Sequence, residues 1–269
     1  MPEFEIIRCI HLERRAQVAD SEAMVQIFSR TGELESLRKR LASRKSTLVH
    51  GPSGVGKTLL LQQVMPEFSH VLYCPAASSP QAVFRCLAEL LAARQDATLL
   101  RICKGRLDAL PGKSSVSLKG IVMDALRAAN YLVVLDHLNR PSPAVGAMVS
   151  EVMLLSSTPV VAVARSSHME DAGSVSPLLP DRSERLAIKN FDSETAKAFA
   201  LALCAQQQLA AENLNSFLES TVRSSEGNPG AILRMIAMAT QSKYRSDDHI
   251  KWSPLYIDFL MEWAAANAV

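Results

Sequence analysis

Ser46-Thr47-Leu48-Val49-His50-Gly51-Pro52-Ser53-Gly54-Val55-Gly56-Lys57-Thr58 reads as a short apolar strand, a turn carrying three glycines, and a helix that opens at Lys57-Thr58. The run from Gly51 to Thr58 matches G-x-x-x-x-G-K-[ST] in full, with Gly51, Gly56, Lys57 and Thr58 at the fixed positions. Each residue type has a physical task there. Glycines let backbone N–H groups curl around an anion without Cβ clashes, and a helix N-terminus adds its positive dipole end. Lys57 is expected to reach the β- and γ-phosphates, and the Thr58 hydroxyl to take a Mg²⁺ position. Gly51, Pro52, Ser53, Gly54, Val55, Gly56, Lys57, Thr58 and Leu59 are therefore the expected phosphate cradle of a nucleotide, and a chance glycine turn is the competing reading.

Outward from this loop, the chain alternates apolar strands with helical stretches. Helix starts are expected at Thr31, as a cap, and at Pro80. The helix after the phosphate loop carries Leu60, Leu61, Val64 and Met65 on one face, and Pro66 breaks it. Buried strands are expected at His70–Cys74, at Tyr131–Leu135 ending on Asp136, at Pro159–Ala164 ending on Arg165, and at Leu186–Ile188. Strands that are apolar throughout, separated by helices, predict an α/β fold: a five-stranded parallel sheet with helices on both faces. Such sheets bind ligands beyond the carboxyl ends of their strands, where Gly51, Asp136 and Arg165 all fall. From Phe191 the pattern is helical, with Ser193 as an expected cap and further helices around Phe217 and from Pro229. The expected organisation is an N-terminal extension (1–27), a phosphate-loop core (28–190), a small all-helical lid domain (191–245) and a helical tail (246–269).

Composition narrows the partners. The chain has 269 residues and a formal net charge of +2, so attraction to nucleic acid or membrane has to come from a local patch. Aromatic residues make up 5%, too few for a base-stacking platform as the main function. The five cysteines are scattered without a C-x-x-C pair, which favours reduced thiols over a disulfide frame or a zinc site. Neither a secretory signal pattern nor an apolar run of about 18 residues is present, so a soluble cytoplasmic protein with no membrane partner is the expectation.

Several side chains extend the loop into a site. Asp136, ending an apolar strand, has the placement of a Walker-B carboxylate that holds Mg²⁺; an ordinary strand-end aspartate is the alternative. His137 stands next to it, either as a base active near neutral pH or as a non-catalytic replacement for an acid. Arg165 can fork onto a γ-phosphate, or make a surface ion pair. Arg182 and Arg185 precede the fifth strand, where one of them can complete a neighbouring subunit's site, or both can be solvated charge. Gly227-Asn228-Pro229 forms a helix corner: Gly227 supplies positive φ, Asn228 a cap and Pro229 a first helical position.

Taken in order, the phosphate loop, Asp136, Arg165, the helical lid and Gly227-Asn228-Pro229 resemble an AAA+-type ATPase of the branch that contains the STAND regulators and origin-recognition ATPases. The resemblance runs from about Phe28 to about Thr240. Phe28-Ser29-Arg30-Thr31-Gly32-Glu33-Leu34 is similar to the segment this family sets beside adenine, which implies Phe28 and Arg30 at the base. Arg165 matches the family's sensor arginine, and the corner its lid signature, which implies Pro229 near the base or ribose. ATP and Mg²⁺ are the implied cofactors. His137 departs from the family's acidic residue and implies slow or partner-dependent hydrolysis. The resemblance leads to a nucleotide-dependent assembly switch that self-associates, with a protein partner or DNA as its output. Arg101, Lys104, Arg106, Lys113 and Lys119 lie in a basic stretch that can track a phosphate backbone or serve as plain solvated surface. A STAND-like signalling module without a nucleic-acid role is the alternative, and a phosphotransferase using the same loop is the weaker third.

Overall fold

The structure is a computed structural model that describes residues 30–107, 110, 112–138, 140–156 and 158–267. The expected N-terminal extension and Phe28 lie outside these residues. Five short strands, β1 (Thr47–His50), β2 (Val71–Cys74), β3 (Leu132–Leu138), β4 (Val160–Ala164) and β5 (Arg185–Ala187), form one parallel sheet in the order β2-β3-β4-β1-β5. The crossovers are helical: α1 (Thr31–Ala42) precedes β1, α2 (Lys57–Val64) follows it, α3 (Pro80–Ala93), α4 (Ala97–Ile102) and α5 (Ser115–Ala128) follow β2, and α6 (Pro143–Leu155) follows β3. The five-stranded parallel sheet read from the sequence is thus present.

Strand alternation decides which helices each face meets. Leu48, Val133, Leu135 and Ala162 pack with Val83, Leu87, Leu118, Val122, Val149 and Val152 of α3, α5 and α6. Val49, Val134, Val161 and Val163 pack instead with Leu34, Leu37 and Leu41 of α1 and with Leu60, Leu61 and Val64 of α2. Burying a side chain such as Leu37 or Leu61 in full contributes about 1.5–3 kcal/mol, so both layers are strongly fixed against the sheet.

Beyond a short helix, α7 (Met169–Ala172), and β5, the chain becomes a second unit. Its helices α8 (Ser193–Gln206), α9 (Leu214–Ser225), α10 (Pro229–Ala239) and α11 (Trp252–Asn267) share one core that includes Phe199, Leu203, Phe217, Ile232, Met235, Leu255 and Phe259. The tail helix α11 is therefore packed into the lid's own core. Between α10 and α11, Arg245–Ser246 (β6) pairs antiparallel with His249–Ile250 (β7). Asn213 holds that hairpin, because its amide donates to Ile250 O at 2.9 Å and its Oδ1 accepts from Ile250 N at 2.9 Å.

Local details differ from the sequence expectations. Thr31 is the first helical residue of α1 and Arg30 occupies the cap position without a side-chain cap. Asp192 rather than Ser193 caps α8, its carboxylate accepting from Thr195 N at 2.8 Å, because Asp192 has the extended backbone a cap position takes and Ser193 is already helical. β3 does not end at Asp136 but continues to Leu138 through a register shift between Leu135 and Leu138. The basic stretch is not one open loop, since Arg101 lies in α4 and Lys119 in α5.

Candidate nucleotide site

The strand order brings the sequence-distant residues together. β4 lies between β1 and β3, so the turn after β4 is flanked by the phosphate loop and the end of β3. Val134 faces the α2 layer, and Asp136, two residues further on, points the same way. There its Oδ2 accepts from Thr58 Oγ1 of α2 at 2.8 Å, across 78 residues of sequence. The phenol of Tyr73 on β2 donates to the same oxygen at 2.9 Å, and the backbone N–H of His137 donates to Oδ1 at 2.7 Å. Asp136 is 1% exposed, so this carboxylate is held by named donors and not by bulk water.

The loop itself is shaped by its backbone. Gly56 sits at φ +97 as the cap residue of α2 and Gly54 at φ +77, a left-handed region that favours glycine. No side chain caps α2, which leaves its first-turn N–H groups for an anion. The Lys57 ammonium arches back over the loop and donates to Gly51 O at 2.7 Å and Pro52 O at 2.9 Å. Burial pushes Lys57 down to about 8; Asp136 and Asp171 oppose this and Arg165 reinforces it. Burial likewise holds His50 below its ordinary value, with Arg185, His168 and Lys57 adding positive charge around it. Lys57 and Arg165 thus place positive charge at the carboxyl ends of β1 and β4, in a site suited to a polyanion.

The lid closes directly on this loop. Asn228, 6% exposed, caps α10 by accepting from Ala231 N at 3.2 Å. Its amide nitrogen donates to Ser53 O at 2.8 Å and to Asn190 Oδ1 at 3.2 Å. Gly230 N donates to Gly54 O at 3.0 Å, and a Cβ added to Gly54 would lie 2.8 Å from both Asn228 Oδ1 and the Trp263 ring of α11. Pro229 is the first residue of α10 and half-buried between these contacts. Arg30 spans the junction of the core and the helical unit: it donates to Lys189 O at 2.6 Å, pairs with Glu33 at 3.3 Å and lies 4.7 Å over the Phe191 ring. Its Nη2 is buried without a hydrogen-bond partner among the described residues.

The other residues singled out in the sequence fall as follows. Pro52 is exposed, Ser53 and Leu59 half-buried and Val55 buried within the loop and the start of α2; Arg165, half-buried, directly follows β4. His137 is mostly exposed, its Nε2 3.8 Å from Asp136 Oδ2. Arg182 opens a short 3-10 turn, whereas Arg185 is bound within its own chain, donating to Leu179 O at 2.9 Å and Ser176 O at 3.2 Å. Arg101, Lys104 and Arg106 are exposed, Lys113 is half-buried, and Lys119 is paired with Glu151 at 2.7 Å. Tyr73 and the amide of Asn228 were missed as site residues. The alternation of β2 carried a signal for Tyr73, a polar-tipped side chain on an otherwise apolar buried strand.

The strand order, the phosphate loop after β1, the carboxylate on β3 and the helical lid together make a P-loop α/β fold with a helical lid, and solved structures share it. Among solved structures the chain is similar to the Walker-type ATPase of Pyrococcus abyssi, with a TM-score of 0.59 and 16% identity over 90% of this chain and 77% of that one. It is similar to the Aeropyrum pernix ORC1 protein in complex with DNA, with a TM-score of 0.60 and 17% identity over 87% of this chain and 65% of that one. A STAND protein with a tetratricopeptide repeat sensor from Pyrococcus horikoshii follows, with a TM-score of 0.50 and 13% identity over 87% of this chain and 32% of that one. The chain therefore spans about two thirds of the ORC1 chain and a third of the STAND chain. No protein-family model and no curated protein matches. Among the described residues no helix is long and apolar enough to cross a membrane.

Proposed function

We propose that the chain is an ATP-binding, slowly hydrolysing ATPase that works as a nucleotide-dependent assembly switch. The observation that carries this reading is the 2.8 Å contact between Thr58 Oγ1 and Asp136 Oδ2 at the mouth of a glycine-rich helix N-terminus. The donor set fits Mg²⁺: two hard oxygens, with no cluster of three or more metal-binding side chains among the described residues. A cation held by one or two protein oxygens plus substrate phosphates matches that pattern. The uncapped start of α2, Lys57 and the Nη2 of Arg30, unpartnered among the described residues, fit a nucleotide.

In this reading Thr58 and Asp136 hold Mg²⁺, and Lys57 exchanges its carbonyl partners for phosphate oxygens. Arg165 senses the γ-phosphate from the turn between the loop and Asp136. Arg30 and Pro229 flank the base. When bound, ATP supplies the phosphoanhydride and Mg²⁺ the charge that screens it. His137 replaces an acidic base, which keeps turnover slow. Arg182 or Arg185 would act on a neighbouring subunit, Arg185 only by leaving Ser176 and Leu179 of its own chain.

Lys57→Ala tests the site. Loss of a charge-assisted contact weakens binding of a fluorescent ATP analogue by roughly 10- to 100-fold or more, and retained tight binding overturns the assignment. Light scattering with Mg-ATP tests assembly: a chain that stays monomeric overturns the switch. An output on DNA would run through the exposed Arg101, Lys104 and Arg106, in keeping with a structural neighbour that is in complex with DNA. The pairing of Lys119 with Glu151 and the exposed Ile257, Leu260 and Met261 of α11 favour a second reading, a signalling module acting on a protein partner. Salt-dependent binding to duplex DNA separates the two, because counterion release makes phosphate contacts fall steeply with salt.

A further inference from the structure

Asp136 accepts from three donors, and the ATPase reading absorbs only one of them as a cation ligand. Thr58 Oγ1 can turn a lone pair to a metal, and the His137 N–H fixes Oδ1 from the adjoining backbone. The Tyr73 phenol has a different standing: it donates to Oδ2 at 2.9 Å, the same oxygen that meets Thr58. The pairing of β2 with β3 puts it there. Tyr73 is in register with Val134, and Val134 shares a sheet face with Asp136, so the phenol reaches along that face to the carboxylate.

We propose that Tyr73 tunes the cation site through Asp136, its phenol tempering the hold of that carboxylate on a divalent cation so that the cation binds with the nucleotide and not before it. A hydrogen bond to an ionised acceptor is stronger than one between neutral groups, so a cation approaching Oδ2 competes with the phenol for the same charge. Orientation does not depend on Tyr73, because the His137 N–H and Thr58 each hold one carboxylate oxygen. Deleting the phenolic oxygen therefore frees charge without freeing the side chain. The carboxylate alone then attracts Mg²⁺ more strongly, and phosphate oxygens matter less. This inference rests on the nucleotide-site reading above.

The test is Tyr73→Phe, which keeps the ring and removes the donor. Binding of a fluorescent ATP analogue is followed while Mg²⁺ is titrated up from EDTA, and separately in EDTA alone. The Mg²⁺ midpoint is expected to fall about 3- to 10-fold in Tyr73→Phe, a fraction of a charged hydrogen bond, with affinity in EDTA unchanged. In an Asp136→Asn background the same substitution is expected to leave the midpoint where it is, because the charge being tempered is gone. A tyrosine that merely fills space would leave the midpoint unchanged in both backgrounds, and that result, or a raised midpoint, overturns the proposal. The two readings fail separately. If the wild-type chain binds no analogue with or without Mg²⁺, the site assignment falls and this inference with it. Normal binding with an unmoved midpoint removes only the role of Tyr73.

Discussion

Asn228 is the side chain through which the lid grips the phosphate loop, and replacing it separates two jobs done by one amide. Asn228→Ala removes the α10 cap, whose loss costs about 1 kcal/mol. It also removes the buried hydrogen bond to Ser53 O, about another 1 kcal/mol, and leaves that carbonyl without its donor, which adds to the cost. The sum is about 2–3 kcal/mol. At about 2–4 °C per kcal/mol for a chain of this size, the melting midpoint should fall by about 4–12 °C.

Asn228→Asp keeps an excellent capping oxygen but replaces the amide donor with an oxygen facing Ser53 O and Asn190 Oδ1. Its helix should hold while the latch opens. Release of a bound ATP analogue, measured by stopped-flow chase, should then quicken by about 5- to 10-fold, the equivalent of one such bond. The melting midpoint of Asn228→Ala is read by calorimetry in the absence of nucleotide. A midpoint within about 2 °C of wild type, together with an unchanged release rate in Asn228→Asp, would refute the idea that this corner locks the lid to the loop.

Lys57 makes a prediction about pH. Burial lowers it from 10.5 to about 8. Below pH 8 both folded and unfolded chains carry the proton, and the folded state bears the full penalty. Between 8 and 10.5 the folded chain sheds the proton first, so wild-type stability should rise relative to Lys57→Ala by about 3 kcal/mol over that window. Urea denaturation of both proteins at pH 7.5 and pH 10.5 reads the difference, and a flat difference refutes the buried-ammonium account. His137→Glu should raise steady-state ATP turnover at least about 10-fold if the histidine is what makes the site slow. Unchanged phosphate release would mean that the base lies elsewhere.

Much of this site was readable because its chemistry is local in sequence. A glycine turn followed by Lys57-Thr58, and an apolar strand running into Asp136, each fit within one element, and their residue types report their backbone needs. What could not be read was adjacency. Nothing in the residues around Val160 says that β4 inserts between β1 and β3, yet that order puts Arg165 beside the loop. The Tyr73–Asp136 bond depends on strand register, and the Asn228–Ser53 bond closes across 175 residues. Capping failed on a finer scale. Asp192 and Ser193 are both good caps, and only the backbone angles decide that Asp192 is the non-helical one.

The bulge in β3 ties the fold's irregularity to the chemistry. In a regular strand the residue after Asp136 would point to the opposite face, into the core formed with α3, α5 and α6, where Leu135 lies. Instead Leu138 joins Leu135 in that core, and His137 is the extra residue, at φ +52. Two things follow from the same distortion. The His137 N–H folds back onto Asp136 Oδ1, and its side chain is thrown out to solvent with Nε2 3.8 Å from the other carboxylate oxygen. The bulge therefore both clamps the Asp136 carboxylate and sets the next side chain on the same side of the sheet, where the proposed cation would lie. Histidine tolerates the left-handed region better than most residues, so its presence is consistent with the backbone demand as well as with slow chemistry. A glutamate there would take the same direction at a backbone cost of about 1 kcal/mol, small against the rate effect of a correctly placed base. On the proposed reading, the identity of residue 137, and not the shape of the strand, is therefore where the rate would be set.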